Sequence, residues 1–575
     1  MTYTWNEIDL GFPSIYAPRI LDPFYFFITV FQTLGLSLYG SQIITVFLIY
    51  FLSSILMYIL VKQLTNGNIT ASFVAALYLT SNVYLVNDRE VTAIGFVDIA
   101  LMILPCLITF AKGTKTHSYR LTAASGILCV LTYATFPNYR TTIICLITLG
   151  LISIFLFMDK GIRASFYNKK DSSKMLGISI NTTLVYHHLK LLVVFAIAFL
   201  LASIWTITLI YLNFATLNTA YTEMSTPWFV GGHAISDATR LIAKWSFYSG
   251  ARISSLWRPY LPYGDVYLNN PLAIILCYLP AILAFTSLTL SKEHKITIFF
   301  GSTAVVALFL TSGFSFSEYG NRLYIVLMRL PPLVAFREPS NWVFFAVFSF
   351  SILIGLTVSA LCHKFRSKGL RIFTLSSVAI LFLSTTYPLV TGDVARNWID
   401  PNIKGSYFPS SYIELNTMLS SRYWAIMLPQ RGVYVIYNFT EGPLGCGNPY
   451  PLIFSKPIIS GVGTEYIQPE NLELIDKLHG VIHTRTKDIS KFLGMLGIRY
   501  LVLEKNIILG NTYPLKELNL NESKSLILAI EWSEIALFNN TYAVEKIYIA
   551  DNILNYATLN EMYNITENAE WSILN

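Results

Sequence analysis

The chain reads as a succession of apolar runs, most close to twenty residues long, separated by short polar links. A helix needs about 20 apolar residues to cross a bilayer core. Runs of that kind fall at 42–61, 71–87, 91–111, 121–137, 141–158, 190–212, 271–290, 296–313, 341–362 and 372–390. A further apolar stretch, 24–38 (FYFFITVFQTLGLSL), is shorter and joins the next run through a three-residue link. It reads as a helix lying in the membrane interface, a depth that Phe and Tyr favour. An eleventh span is the other reading. After residue 390 the pattern changes. Helix-like stretches (PENLELIDKLHG, KDISKFLGMLG) alternate with strand-like ones (VYVIYNF, IRYLVLE), which predicts a compact α/β or α+β domain. The predicted fold is therefore a polytopic α-helical membrane protein with about 10–11 transmembrane helices. Residues 1–41 form a first loop and interfacial helix, and 42–390 the transmembrane domain with long loops at 213–270 and 314–340. Residues 391–575 form a soluble C-terminal domain.

Charge sets the expected orientation. Only 13% of residues are charged, about half the share of a soluble protein, and the formal charge is +7. The cations fall in alternate loops. One set holds Lys62; Lys112, Lys115 and Arg120; Lys160, Arg163, Lys169, Lys170 and Lys174; Lys292 and Lys295; and Lys364, Arg366, Lys368 and Arg371. The intervening short loops hold only Arg89 and Arg140. Cytoplasmic loops carry the excess of Lys and Arg, so the basic set is expected inside. The positive charge then reports topology, and no nucleic-acid partner is implied. By parity the loops at 88–90, 137–140, 213–270 and 314–340 lie outside, with everything after residue 390. Ten spans put the N-terminus outside as well.

That placement makes the C-terminal domain extracytoplasmic, which suits its four N-x-S/T sequons at Asn438, Asn521, Asn539 and Asn564 as glycosylation sites. Asn68 and Asn181 also head sequons, but in loops expected inside, where they stay bare. Five of the six cysteines (Cys106, Cys129, Cys145, Cys277 and Cys362) lie in or beside apolar spans, and Cys446 alone lies in the C-terminal part. No internal disulfide is available there, and no Cys/His spacing of the metal-binding kind is present.

The chemistry-bearing residues gather in the outer loops. In 213–270, Trp228, Trp245, Tyr248, Trp257, Tyr260 and Tyr263 recur among Arg240, Lys244, Arg252 and Arg258. Aromatic faces stack on sugar rings and Arg forks bind phosphate. An interface helix with an aromatic belt and snorkelling cations gives the same pattern. The second long loop ends RLPPLVAFREPSNWVFF, with Arg337 and Glu338 at the mouth of a span. Asp88 and Glu90 flank Arg89 at another membrane surface, and Asp98 lies about two turns deeper in AIGFVDIALMILP. An ionisable residue at such a depth marks function unless it is paired for packing. Glu7 and Asp9 are outer acids near the start. His187–His188 reads as interfacial. No P-loop, GxGxxG, HExxH or GxSxG stands in a fitting context, which excludes cytoplasmic nucleotide chemistry.

The runs TYTWNEIDLGFPSIYAPRILDPFYFF, AALYLTSNVYL and GFVDIALMILPCLI resemble the N-terminal half of the alpha-(1→3)-arabinofuranosyltransferase-like membrane proteins of the GT-C superfamily. RLPPLVAFREPSNWVFF resembles that family's FRxP motif, shared with YfhO-type membrane glycosyltransferases. KFLGMLGIRYLVLEKN and ALFNNTYAVEKIYIAD resemble a pattern of both ectodomains. The resemblance implies a glycosyltransferase that moves a sugar from a polyprenyl- or dolichyl-phosphate donor to a cell-surface glycan or glycolipid. It implies no cofactor, with a divalent cation left open. One carboxylate would deprotonate the acceptor hydroxyl, and cations with aromatics would hold the departing lipid phosphate. Asp98, Asp9 and Glu7 are the acids it offers for catalysis. Arg89, Asp88, Glu90, Arg337, Glu338, Arg258, Trp257 and Trp228 are the candidate donor-binding residues. The Trp-Trp-Asp signature of oligosaccharyltransferases is absent. The family carries a transmembrane helix and its usual acid ahead of the Trp that aligns with Trp5. The expectation is therefore a truncated start, or a member that has lost its base. A non-catalytic or transporter-like protein that handles lipid-linked glycan is the alternative, although no inverted repeat of the transporter kind is visible.

Overall fold

The computed structural model describes residues 23–86, 91–135, 139–164, 178–180, 182–203, 233–244, 263–315, 317–328, 333–336, 338–365, 367–393, 409–428, 489–505 and 525–543. It also describes short pieces at 5–6, 12–13, 247, 330, 436–437, 458–459, 478, 482 and 507–509. The chain divides into two compact units, Pro18–Ala395 and Arg396–Asn575 with Met1–Ala17.

The larger unit is a helical bundle. It opens with α1 (Pro23–Thr33), α2 (Leu38–Leu64) and α3 (Ile69–Leu79), followed by a 3₁₀ turn at Val83–Val86. Next come α4 (Val91–Thr116), α5 (Tyr119–Thr135), α6 (Tyr139–Gly161) and α7 (Thr182–Ser203). Two short helices follow, α8 (Ile235–Thr239) and α9 (Gly264–Asn269). The bundle is completed by α10 (Pro271–Leu290), α11 (His294–Thr311), α12 (Glu318–Met328), α13 (Val343–Lys364) and α14 (Lys368–Thr385). Eight of these helices are long and apolar enough to cross a bilayer. The two remaining predicted spans are α5 and α6, whose apolar stretches are shorter, Tyr119–Thr132 and Ile143–Leu156. Every predicted run thus corresponds to a helix, and the chain is a multi-pass membrane protein. At 11 residues α1 is about 16 Å long, short of the ~30 Å core, so it does not cross as a straight helix.

Local chemistry sets the helix ends. Ser37 Oγ accepts from Gly40 N (3.1 Å) to start α2, and Asn68 Oδ1 accepts from Ala71 N (3.0 Å) to start α3. Asn270 caps α10 by accepting from Leu272 N (2.9 Å), with Pro271 at the first helical position. Between α2 and α3, Asn66 and Gly67 adopt φ of 51° and 94°, the left-handed turn that closes a helix in a few residues.

One helix forms the axis of the bundle. The span Pro339–Lys364 is 94% buried, against 6% for Tyr186–Ser203 at the periphery. Around α13 pack α3, α10, α11 and α14. Its closest approach is backbone to backbone. A Cβ on Gly355 would lie 2.4 Å from Ala71 O of α3, so only glycine fits this crossing. Polar side chains add cross-links. Thr357 Oγ1 donates to Leu283 O (2.7 Å), and Ser53 Oγ donates from α2 to Val97 O of α4 (3.0 Å).

The loop charges sort by end. At one end, Lys115 Nζ donates to Gln63 O, Asn68 Nδ2 donates to Ser359 Oγ (2.8 Å), and the rings of His117 and His187 lie 5.3 Å apart. These contacts gather the C-terminal ends of α2, α4 and α13 with the starts of α3 and α7. That is the end to which the basic loops belong. The links carrying few cations belong to the other end.

The second unit holds a five-stranded mixed sheet. Its strands are β1 (Trp424–Leu428), β2 (Ile458–Ile459), β3 (Ile498–Glu504), β4 (Leu526–Glu531) and β5 (Ile535–Asn540). The order is β4-β5-β3-β1-β2, with β1 parallel to β2 and β3, and β5 antiparallel to β3 and β4. Alternate residues bury on opposite faces. Ile426, Leu428, Leu501, Ala536 and Phe538 join one core with Phe492 and Leu493 of α16 (Ser490–Met495). Ala425, Met427, Tyr500, Val502, Ile535 and Leu537 join another with Tyr412 and Leu415 of α15 (Ser410–Met418). A sheet covered on both faces is the α/β arrangement the alternating stretches predict. Of those stretches, IRYLVLE is β3 and SKFLGM is α16.

Candidate functional site

The end of the bundle away from the basic loops is built by a short segment of the 213–270 loop. Asp237 and Arg240 follow from α8, and their side chains pair at 2.6 Å. Arg240 Nη1 also donates to Tyr267 O of α9 (2.9 Å), and its guanidinium lies 5.7 Å from the centre of the Tyr278 ring. Only 7% of Arg240 is exposed, so this ion pair is largely desolvated. Leu241 ends the helix at φ 61°, a left-handed conformation costly for a branched side chain and held here by burial.

Two tyrosines moor the segment to span ends. Tyr263 Oη donates to Val86 O (2.9 Å) and Tyr267 Oη donates to Thr385 O (2.7 Å). Burial pushes the Tyr267 phenol well up. The Tyr267 ring stacks on Tyr387 at 6.0 Å, and Ser315 Oγ donates to His233 O. The close of the 83–86 turn, the ends of α11 and α14, and the start of α10 are thereby brought together.

The FREPSNW segment sits at this same end. Two 3₁₀ turns, Leu333–Phe336 and Pro339–Trp342, lead into α13. Trp342 Nε1 donates to Tyr324 Oη (3.1 Å), and Tyr324 Oη donates to Phe336 O (2.5 Å). The Phe336 and Trp342 rings stack at 4.1 Å. Burial raises the Tyr324 phenol well above its ordinary value, against the lowering effect of the Trp342 hydrogen bond, and the neighbouring Glu338 carboxylate adds to the rise. Tyr324 therefore stays a neutral phenol that clamps together the two turns leading into α13. Three buried polar atoms here, Ser340 Oγ, Thr311 Oγ1 and Asn321 Oδ1, have no hydrogen-bond partner among the described residues. Burying such groups without a partner costs about 1–3 kcal/mol each.

The predicted site residues distribute as follows. Asp98 lies in α4, roughly 10 Å along the axis from its start. Glu338 is half-buried at the entry to the Pro339–Trp342 turn. Glu7, Asp9, Asp88, Arg89, Glu90, Trp228, Trp257, Arg258 and Arg337 lie outside the described residues, as do Asn438, Asn521 and Asn564. Asn539 is half-buried in β5, between β4 and β3, and Asn68 serves as a helix cap. Reading the sequence alone passed over the clamp of Tyr324 and Trp342, whose only signal was an aromatic in each outer segment. It likewise gave no sign that Cys106, Cys129 and Cys145 meet, because 23 and 16 residues separate them and no motif spans such gaps.

Comparison with solved structures identifies the architecture. The chain is similar to the arabinofuranosyltransferase AftD from Mycobacteria, solved by single-particle cryo-EM, with a TM-score of 0.59 and 12% identity. The match covers 94% of this chain and 37% of that one. A mutant of AftD matches with a TM-score of 0.54 and 13% identity, over 94% of this chain and 38% of the other. The chain shares its fold with the part of that structure it matches. The chain spans little more than a third of the length of the structures it matches. No protein-family model matches the chain, and a search of curated proteins found no match.

Proposed function

We propose that this chain is a GT-C-type membrane glycosyltransferase that takes a sugar from a polyprenyl- or dolichyl-phosphate donor and transfers it to a cell-surface glycan or glycolipid on the outer face. The observation that carries this reading is the likeness to an arabinofuranosyltransferase along almost the whole chain. The charge pattern supports the side. With the basic loops in the cytoplasm, the end moored by Tyr263 and Tyr267 faces outward, and so does the C-terminal unit.

The chemistry this reading requires is a displacement at the anomeric carbon. The acceptor oxygen attacks the anomeric carbon while the bond from that carbon to the phosphate oxygen breaks. The hydroxyl proton passes to a carboxylate, and the lipid phosphate leaves as an anion. Asp98 is the proposed base, with Asp9 and Glu7 the alternative acids. Arg337 and Arg89 hold the phosphate charge, with Asp88, Glu90 and Glu338 orienting them. Trp228 and Trp257, with Arg258, receive the sugar and its pyranose or furanose face.

The test is a donor titration. Membranes carrying the chain are supplied with a panel of radiolabelled polyprenyl-phosphate sugars, and label in the glycan fraction is followed. Arg337→Ala is expected to raise the donor KM about 10- to 100-fold, the worth of a charge-assisted hydrogen bond. An unchanged KM would assign Arg337 to anchoring alone.

A further inference from the structure

Inside the bundle, the Sγ atoms of Cys106, Cys129 and Cys145 all lie within 4.8 Å of one another, and all three residues are buried. They come from three different helices, α4, α5 and α6. Cys106 and Cys129 each lie about 15 Å along their helices from the basic end, near the middle of a ~30 Å hydrocarbon core. We infer that these thiols form a binding site for a single Cu(I) ion that pins α4, α5 and α6 together.

Geometry and ligand type agree on the ion. Three sulfurs bonded to one metal at about 2.3 Å in a plane sit roughly 4.0 Å apart, within the spacing seen here. Soft thiol ligands select Cu(I), Zn(II) or iron–sulfur clusters. Structural zinc takes four ligands, and among the described residues no fourth Cys, His, Asp or Glu joins the group. The oxygens beside the group belong to Ser125: Cys106 Sγ donates to Ser125 O (3.2 Å) and lies 3.3 Å from Ser125 Oγ, whose hydroxyl donates to Cys106 O (3.0 Å). Three-coordination favours the monovalent ion. Each sulfur binds as its thiolate, so loading the site with Cu(I) releases up to three protons and weakens as pH falls. The site is distinct from the proposed transfer chemistry. Its reach is structural, because α4 also carries Asp98.

The experiment uses the purified full chain in detergent, reduced and free of oxygen. Cu(I) is added in competition with a Cu(I)-selective chromophoric chelator, and bound copper is counted by mass spectrometry after desalting. About one copper per chain is expected, with a rise in melting temperature that grows with free Cu(I). The variant carrying C277A, C362A and C446A should keep that copper, whereas C129A and C145A should each lose at least nine-tenths of it. X-ray absorption of the loaded wild type should show three sulfurs at about 2.3 Å, a reading that needs no variant to fold. Copper retained when all three bundle cysteines are replaced would overturn the site. Fewer than two sulfurs around the ion would do the same, as would Zn(II) binding there in place of Cu(I).

Discussion

Asp98→Asn is expected to lower sugar transfer by about 10²- to 10⁴-fold, the usual worth of a positioned general base, with insertion and abundance unchanged. The substitution keeps the shape of the side chain and removes only its charge and basicity. Asp98 lies about 10 Å along α4 from its start, in the apolar stretch of a helix whose far end carries Lys112 and Lys115. A carboxylate placed there is costly to keep unless it serves the reaction. The check is the initial rate of label transfer in membranes matched for protein amount. Undiminished transfer would remove Asp98 from the chemistry, and a loss seen instead in Asp9→Asn or Glu7→Gln would move the base to the first loop.

Arg240→Ala is expected to destabilise the membrane unit by about 3–5 kcal/mol, the cost of leaving one partner of a buried ion pair alone. Removing the guanidinium strands the Asp237 carboxylate, cuts the 2.9 Å bond to Tyr267 O, and removes the cation from beside the Tyr278 ring. Tyr267 is itself moored to Thr385, so the whole segment between α8 and α10 loses its hold on the span ends. Thermal unfolding of the detergent-solubilised protein reads the effect. Lys190→Ala, on an exposed face of α7, serves as the control and should melt with the wild type. Adding Asp237→Asn to Arg240→Ala should recover part of the loss, since no uncompensated charge is then buried. A melting temperature for Arg240→Ala equal to that of the control would show that the pair contributes nothing to the docking.

Much of the fold was legible because a bilayer allows few solutions. Apolar runs of span length separated by alternately basic loops give helix number and end assignment almost directly. What the runs could not show is which helix is central. Both α2 and α13 are apolar on every side, yet 28% of the α2 span is buried against 94% of the α13 span. Lipid tails are as apolar as leucine, so hydrophobicity does not separate a core face from a lipid face. The discriminating signal is the row of small residues in α13, of which Gly355 meets the backbone of Ala71 directly. The site was legible as a set of residues but not as an arrangement. RLPPLVAFREPSNWVFF marked a span mouth, while the clamp of Tyr324 on Phe336 and Trp342 depends on how α12 folds back. Arg240 and Tyr263 stood in the sequence as members of an aromatic and cationic loop. The fold commits one to an ion pair and the other to the Val86 carbonyl, roles set by tertiary contacts alone.

The central claim is that this chain transfers sugar from a lipid phosphate, and reconstitution tests it most directly. The purified protein is placed in liposomes with a radiolabelled polyprenyl-phosphate sugar and a glycan acceptor, alongside the Asp98→Asn variant. Label is expected in the glycan, with stoichiometric release of polyprenyl phosphate, from the wild type and not from the variant. Intact donor in every arm across the sugar panel, with the protein folded, would contradict it.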